Sequence, residues 1–392
     1  MVSTVDELKA ALNGKERLDT LLIKGDYVLD SALFIKQPMV VIGEGNANLN
    51  FQMKSSGLLI MSDSVEVQNL NICNIKKSNL NDYAAIHAED VQYISIHNNR
   101  IENAFFGIYF ANTKHSNAYQ NNVLGVPDRE QSTGNAIHLW QCDSMAITAN
   151  HLSHHRDGIY FEFVTNSFIE NNRSRHNVRY GLHFMFSHHN TYSNNVFSKN
   201  EAGVAVMYSH HVSMISNEFS HNWGDCSYGL LLKDIYDGDL TDNIFNTNTI
   251  AILMEGSNRL SITKNEFVKN GWAIKMAANC EGNKVTQNHF QGNSFDVATN
   301  GKTVMNQFNQ NYWDQYEGYD LDNDGFGDVP YHPMGLFSVM VEKVPESLML
   351  YRSFLTILLD KAEHVMPSIT PEALVDEEPL MKPPKTKAHA AN

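Results

Sequence analysis

One turn of a repeat runs from Asn217-Glu-Phe219 through Asn222 and Gly229-Leu-Leu-Leu232 to Leu240-Thr-Asp-Asn243, where it starts again. Outward from this turn, Asn99, Asn122, Asn150, Asn172, Asn195, Asn217, Asn243, Asn265 and Asn288 each stand two residues before an apolar residue, or before Ser in one case. Their separations are 23, 28, 22, 23, 22, 26, 22 and 23. A period near 22, stretched only where residues intrude, marks a solenoid of stacked coils. Short alternating stretches between Asn or Gly suit three brief strands per coil, joined by bends. Asn tolerates the left-handed backbone that bends require, and stacked Asn side chains can hydrogen-bond from coil to coil. The expected fold is all-β, a right-handed parallel β-helix. With coils ~4.8 Å apart, eight steps span roughly 40 Å.

A solenoid lengthens without splitting into domains, so 392 residues fit one such rod. The chain carries a formal charge of −15 and no basic stripe is evident in the sequence, which argues against nucleic acid. No run of 18 apolar residues offers a membrane span. Cys73, Cys142, Cys226 and Cys280 lie far apart and form no CxxC pair, so they read as core or stack residues.

Thr4 and Glu7 are spaced as a capping box before a short helix, a natural cap for the open end of the solenoid. Residues 1–35 read as this cap and the first coil, and 36–310 as the β-helix. Residues 311–344 read as an Asp-rich turn and C-terminal cap. Residues 345–392 read as an amphipathic helix from Pro345 to Val365 and an extended or disordered Pro-rich tail. That helix places Leu348, Tyr351, Leu355, Leu358 and Leu359 at helical spacing, and Arg352 makes it amphipathic. Two long intervals locate insertions, Val126–Thr133 and Trp223–Tyr228, and solenoid insertions often gather on a binding face.

Alignment on Gly158, Gly181 and Gly203 puts Ile159/Leu182/Val204 and Phe161/Phe184/Val206 inward. The outward columns then read Tyr109, His138, Tyr160, His183, Ala205 and Trp140, Glu162, Met185, Met207. A second cluster, His188-His189 over His210-His211 with Met214 nearby, follows. Imidazole and thioether together suit Cu(I), so His183, Met185, Met207, His188 and His210 are the copper candidates. The plainer alternative is that these His join hydrogen-bond ladders and these Met fill gaps. Polysaccharide lyases and epimerases also use β-helices, with carboxylates beside Arg, Lys, Tyr or His. Glu162 and Asp157 are read as isolated from any Arg or Lys on their columns, and an Asp-Pro-His element is absent. An aromatic face can still stack on sugar. Asp320, Asp322, Asp324, Phe326 (through its carbonyl) and Asp328 have the spacing of a calcium loop, with Gly325 at the sixth position but Tyr331 where a bidentate acid belongs.

Asn311-Tyr-Trp-Asp-Gln-Tyr-Glu-Gly-Tyr-Asp320 and Asp322-Asn-Asp-Gly-Phe-Gly-Asp-Val-Pro-Tyr331 resemble the ending of the NosD family, periplasmic maturation proteins for nitrous oxide reductase. Arg352-Ser-Phe, Leu358-Leu-Asp-Lys-Ala-Glu363, Pro367, Pro371 and Pro379-Leu-Met-Lys-Pro383 extend the likeness, which covers essentially the whole chain. The resemblance implies a non-enzymatic protein working with the ABC transporter subunits NosF (ATPase) and NosY (membrane subunit) and with the copper chaperone NosL. Together these supply copper for the copper–sulfide centre of nitrous oxide reductase. It also implies a periplasmic location, with any secretory signal removed, and attachment to the inner membrane through the transporter, with the tail helix (Leu348, Tyr351, Arg352, Leu355, Leu358 and Leu359) docking on the membrane subunit. The resemblance does not fix the copper ligands.

Overall fold

The computed structural model describes residues 4–13, 18–78, 80–126, 133–225, 227–301, 305–366 and 374–384. It falls into two compact units, 1–204 and 205–392, each a stretch of parallel β-solenoid as the repeat predicts. In the first unit the longer strands Ala84–Glu89, Phe106–Ala111, Ile137–Trp140, Asp157–Glu162 and Tyr180–Met185 pair in parallel, coil on coil. Two further strands per coil, such as Phe168–Glu170 and Arg173–Arg175, build the other sheet. Alternation sends Ile108, Ile137, Ile159, Leu182 and Phe110, Leu139, Phe161, Phe184 inward, all fully buried. Each such burial stabilises by about 1.5–3 kcal/mol. In the second unit Phe219, Phe245, Phe267, Phe290 and Trp313 form an inward stack with centroids 4.7, 5.0, 4.8 and 4.1 Å apart.

Asparagine closes the bends. Asn265 accepts from the backbone N–H and the side-chain amide of Asn243, both at 2.9 Å. It donates to the carbonyl of Leu240 at 2.9 Å and to Asn288 Oδ1 at 3.0 Å. The Asn265 carboxamide therefore serves the coils on both sides, at a position that is 0% exposed. Two details depart from the sequence reading. The ladder residue between Asn99 and Asn150 is the buried Asn121 and not Asn122, which is exposed. The left-handed backbone belongs to the residue before each ladder Asn. Asn98, Gln120, Ala149, Asn171, Lys264 and Gln287 hold φ between 53° and 58° there.

The amino-terminal helix α1 (Val5–Leu12) is capped by Thr4, whose hydroxyl accepts from Glu7 N–H at 3.2 Å, and it buries Leu8 and Leu12. At the other end the expected single helix is broken. Helix α2 (Leu336–Lys343) comes first, then a 3-10 turn Pro345–Leu350, then helix α3 (Phe354–Val365). Arg352 adopts φ +60° and Ser353 caps the new start, so the chain turns between the last two pieces.

The tail also differs from expectation where it is described. Residues 374–384 are ordered and bridge to Phe308, Phe326 and Tyr331 at the last coil, so of the two expectations, extended or disordered, they do not meet the second; Pro367 and Pro371 fall outside the described residues. Asp376, 0% exposed, accepts from the backbone N–H groups of Gln310 and Asn311, from the Asn311 amide and from Trp313 Nε1, all at 3.0 Å. An acceptor-only carboxylate suits the end of the ladder, because among the described residues no further ladder asparagine lies beyond it to take a donated hydrogen bond.

Asn265→Ala strips partners from the Asn243 N–H and the Leu240 carbonyl, and should lower stability by roughly 2–5 kcal/mol. Asp376→Ala should loosen the last coil, shifting Trp313 fluorescence before the main unfolding transition in urea. Ala149→Gly should act in the opposite direction. Relief of left-handed strain, about 1–2 kcal/mol, exceeds the glycine entropy cost of about 0.5–1 kcal/mol.

Candidate functional site

The outward column of the first unit is an alternating ladder of imidazole and phenol rings. His87, Tyr109, His138, Tyr160 and His183 stand in register on successive strands. Successive centroids are 4.6, 4.6, 4.7 and 5.0 Å apart. Tyr160 lies over His183 as expected, and Glu162 over Met185; Ala205 belongs to the second unit. Phe106 also packs against both Tyr109 and His138. Sequence reasoning missed His87, which sits ahead of the first ladder asparagine.

Packing makes this outer face unusually dry. On this face burial pushes His138 down to about 3 and His183 to about 4 and lifts the Tyr109 and Tyr160 phenols, and in the bend before Asp157 it pushes the fully buried His155 down to about 4. The three imidazoles are therefore neutral at pH 7, and neutral imidazole is the form that binds a metal.

Beside His183 lies a group that corrects the sequence reading of isolated carboxylates. Asp157 is fully buried and accepts from Arg179 Nε at 2.9 Å and Nη2 at 2.6 Å, with Arg156 Nε at 3.6 Å. Arg156 and Arg179 sit on bends, outside the strand columns, which is why the columns did not show them. Buried and paired in this way, Asp157 offers no exposed general base. Arg179 Nη2 also donates to His183 Nδ1 at 3.2 Å, which leaves the proton of the neutral ring on Nε2. His183 Nε2 is buried and has no hydrogen-bond partner among the described residues. For His183 to ligate a metal, Arg179 must release Nδ1 in either case, because Nδ1 then holds the metal itself or takes the proton that leaves Nε2.

Among the other candidates, Met185 and His188 are half-buried in the first unit, and Met207 and His210 are half-buried in the second. His210 Nδ1 lies 2.9 Å from His211 Nδ1, so two imidazole nitrogens converge in one bend. Met214 is 2% exposed in the core and is not available there. Ladder histidines sit two coils apart, about 9.6 Å, too far to share one ion. A shared ion needs a donor from a neighbouring column or bend.

The carboxylates of Asp320, Asp322 and Asp324 offer oxygens within 4.8 Å of one another. Asp320 accepts from the N–H of Asp324 and Gly325 at 3.2 and 3.0 Å, and Asp324 from Phe326 N–H at 2.8 Å. Asp328 turns instead to Leu321 N–H at 2.7 Å. Of the docking candidates, Tyr351 packs on the solenoid against Phe295 at 5.6 Å, and Arg352 lies over the Tyr351 ring. Leu348, Leu355 and Leu358 are 40%, 45% and 51% exposed, Leu359 is half-buried, and Phe354 and Ile357 join them at 79% and 48%. Of the insertion Val126–Thr133, residues 127–132 fall outside the described residues, as does Cys226 in the second insertion.

The depressed histidines fix a pH dependence. The unfolded chain takes up these protons near pH 6.5 while the folded chain does not, so stability falls as pH drops from about 6.5 to about 4. Near pH 5 unfolding should bind roughly three extra protons from these groups, a slope of about 4 kcal/mol per pH unit. Calorimetry in buffers of different ionisation enthalpy measures this uptake. A flat stability profile from pH 7 to 4.5 would contradict the dry face.

A family model described as "Periplasmic copper-binding protein (NosD)" matches residues 125–318. The chain is 28% identical over 405 aligned residues to the "Probable ABC transporter binding protein NosD" of Stutzerimonas stutzeri, covering 90% of this chain and 85% of the relative. Among solved structures, an alginate lyase of family PL6 superposes with a TM-score of 0.62 at 11% identity, over 79% of this chain and 83% of the lyase. The Streptococcus pneumoniae surface adhesin PfbA gives 0.60 at 12% identity, over 75% and 87%. At such identities these two establish the β-helix alone. The relatives that share sequence are named as binding proteins, and over residues 125–318 the chain matches the NosD family.

Proposed function

We propose that this protein is a non-enzymatic periplasmic accessory factor that holds copper transiently, as Cu(I), for assembly of the copper–sulfide centre of nitrous oxide reductase. The reading places it beside the chaperone NosL and on an ABC transporter made of NosF and NosY. The observation that carries it is the position of the soft donors. His183, Met185, His188, Met207 and His210 all lie within residues 125–318, the segment matched by a family described as copper-binding. Neutral imidazoles and thioethers suit Cu(I), and a relay must release its cargo, which favours few and partly engaged donors. Arg179 on His183 Nδ1 fits that requirement, because ligation there competes with an existing hydrogen bond. The Asp320–Asp322–Asp324 turn is a second, weaker candidate, for Ca²⁺, with the Phe326 carbonyl and Asp328 as further oxygens.

Attachment to the transporter is proposed through the exposed apolar residues of α3 and the turn before it, Leu348, Leu355 and Leu358 with Phe354 and Ile357. Tyr351 would hold that surface in place from the solenoid side. Among the described residues no helix is long and apolar enough to cross a membrane, so this attachment would be peripheral.

Anaerobic Cu(I) titration with a competing chelator tests the donors. Replacing His183, Met185 and His188 by Ala, or Met207 and His210, should each weaken binding, and replacing all five should abolish it. Unchanged affinity in the five-fold variant removes the proposal. Leu355→Glu with Leu358→Glu should abolish co-purification with the transporter subunits while Asp376 keeps the coil closed; retained co-purification refutes docking through α3.

A further inference from the structure

In a chain of net charge −15, one face of the first unit is basic and unpaired. Strand Arg173–Arg175 turns both arginines to solvent and buries Ser174 between them. His151 and Ser153 pair with Arg173 and Arg175 on one side, and Val196 and Ser198 on the other. The bends that follow these three strands carry His154, His176 and Lys199, all with left-handed backbone. The His154 and His176 rings stack at 5.5 Å. Three permanent cations and three imidazoles thus occupy three adjacent coils, about 4.8 Å apart.

No carboxylate balances them. Residues 149–156, 171–178 and 194–200 contain no Asp or Glu. Arg100, Arg156, Arg179 and Arg259 each meet a carboxylate, whereas Arg173, Arg175 and Lys199 form no ion pair among the described residues. The mutual repulsion is visible on the histidines. Behind burial, Arg173 and Arg175 hold His151 below its ordinary value, and His154, Lys199 and Arg175 do the same to His176. Across the strands Arg173 and Arg175 meet only His151, Ser153, Val196 and Ser198, so their charge is uncompensated on the sheet and open to an anionic partner.

We propose that this face docks an extended, acidic segment of a partner protein. Alternate side chains of an extended strand lie about 6.8 Å apart, the spacing of Arg173 and Arg175 themselves, so carboxylates two residues apart in such a segment reach both guanidiniums. Guanidinium binds carboxylate in a two-pronged geometry that ammonium cannot copy. The apolar residues in this patch, Leu124 and Val196, are half-buried, so it has no exposed large side chain to insert into a bilayer.

The test is fluorescence anisotropy of the full chain with a labelled decapeptide of alternating Glu and Ser, at several salt concentrations. Binding should weaken steeply with salt. It should fall at least about tenfold in Arg173→Glu/Arg175→Glu/Lys199→Glu, with the unfolding midpoint unchanged because all three side chains are exposed. Lys264→Glu/Lys269→Glu, on exposed positions of the second unit, should bind as the unmodified chain does. Equal binding by the triple variant overturns the proposal. So does capture of phosphatidylglycerol vesicles through these three residues by a chain that ignores the peptide, which would make the face a lipid site.

Discussion

Each coil of this protein depends on a carboxamide that is hydrogen-bonded in both directions. Asn accepts from the coil on one side and donates to the coil on the other, as Asn150 does between Asn121 and Asn172. No other side chain combines two donors and an acceptor at that length. The cooperativity is one-dimensional, since each coil answers only to its neighbours. It fixes register to the residue, because a slip by one would turn every inward Ile and Phe to solvent. The outward columns inherit the same precision. That is how His87, Tyr109, His138, Tyr160 and His183, far apart in the chain, become a continuous run of rings.

The same arrangement explains how the solenoid ends. A ladder that simply stopped would leave buried N–H groups without acceptors, at a cost of about 1–3 kcal/mol for each. Asp376 supplies that acceptor to Asn311, Gln310 and Trp313. Leu380 N–H, donating to the Asn311 carbonyl at 2.9 Å, holds the segment in place. The carboxyl-terminal segment is thus part of the closed end of the second unit. What remains outward near that end is the exposed apolar surface of α3, Phe354, Leu355, Ile357 and Leu358.

The period, the three-strand coil and the inward columns were legible in the sequence because alternation and spacing are local properties. The Tyr160–His183 column followed from a single glycine alignment. The misses have physical causes. Asn121-Asn122 is a doublet, and spacing alone does not say which member is buried and which is free. Arg179 reaches Asp157 from a bend, where strand periodicity carries no information. Asp376 lies 65 residues beyond Asn311, in a stretch whose proline and charge imitate disorder. Soft donors were identifiable by type alone, whereas the tautomer of His183 depends on a bond that Arg179 makes and no motif announces.

The central claim is that the imidazole and thioether groups proposed as donors bind Cu(I). X-ray absorption at the copper edge, on protein loaded anaerobically with one equivalent of Cu(I), tests it most directly. The account predicts a mixed nitrogen and sulfur shell that loses its sulfur component when Met185 and Met207 are replaced by Leu. A shell of thiolate sulfur alone, or one unchanged in that variant, would contradict it.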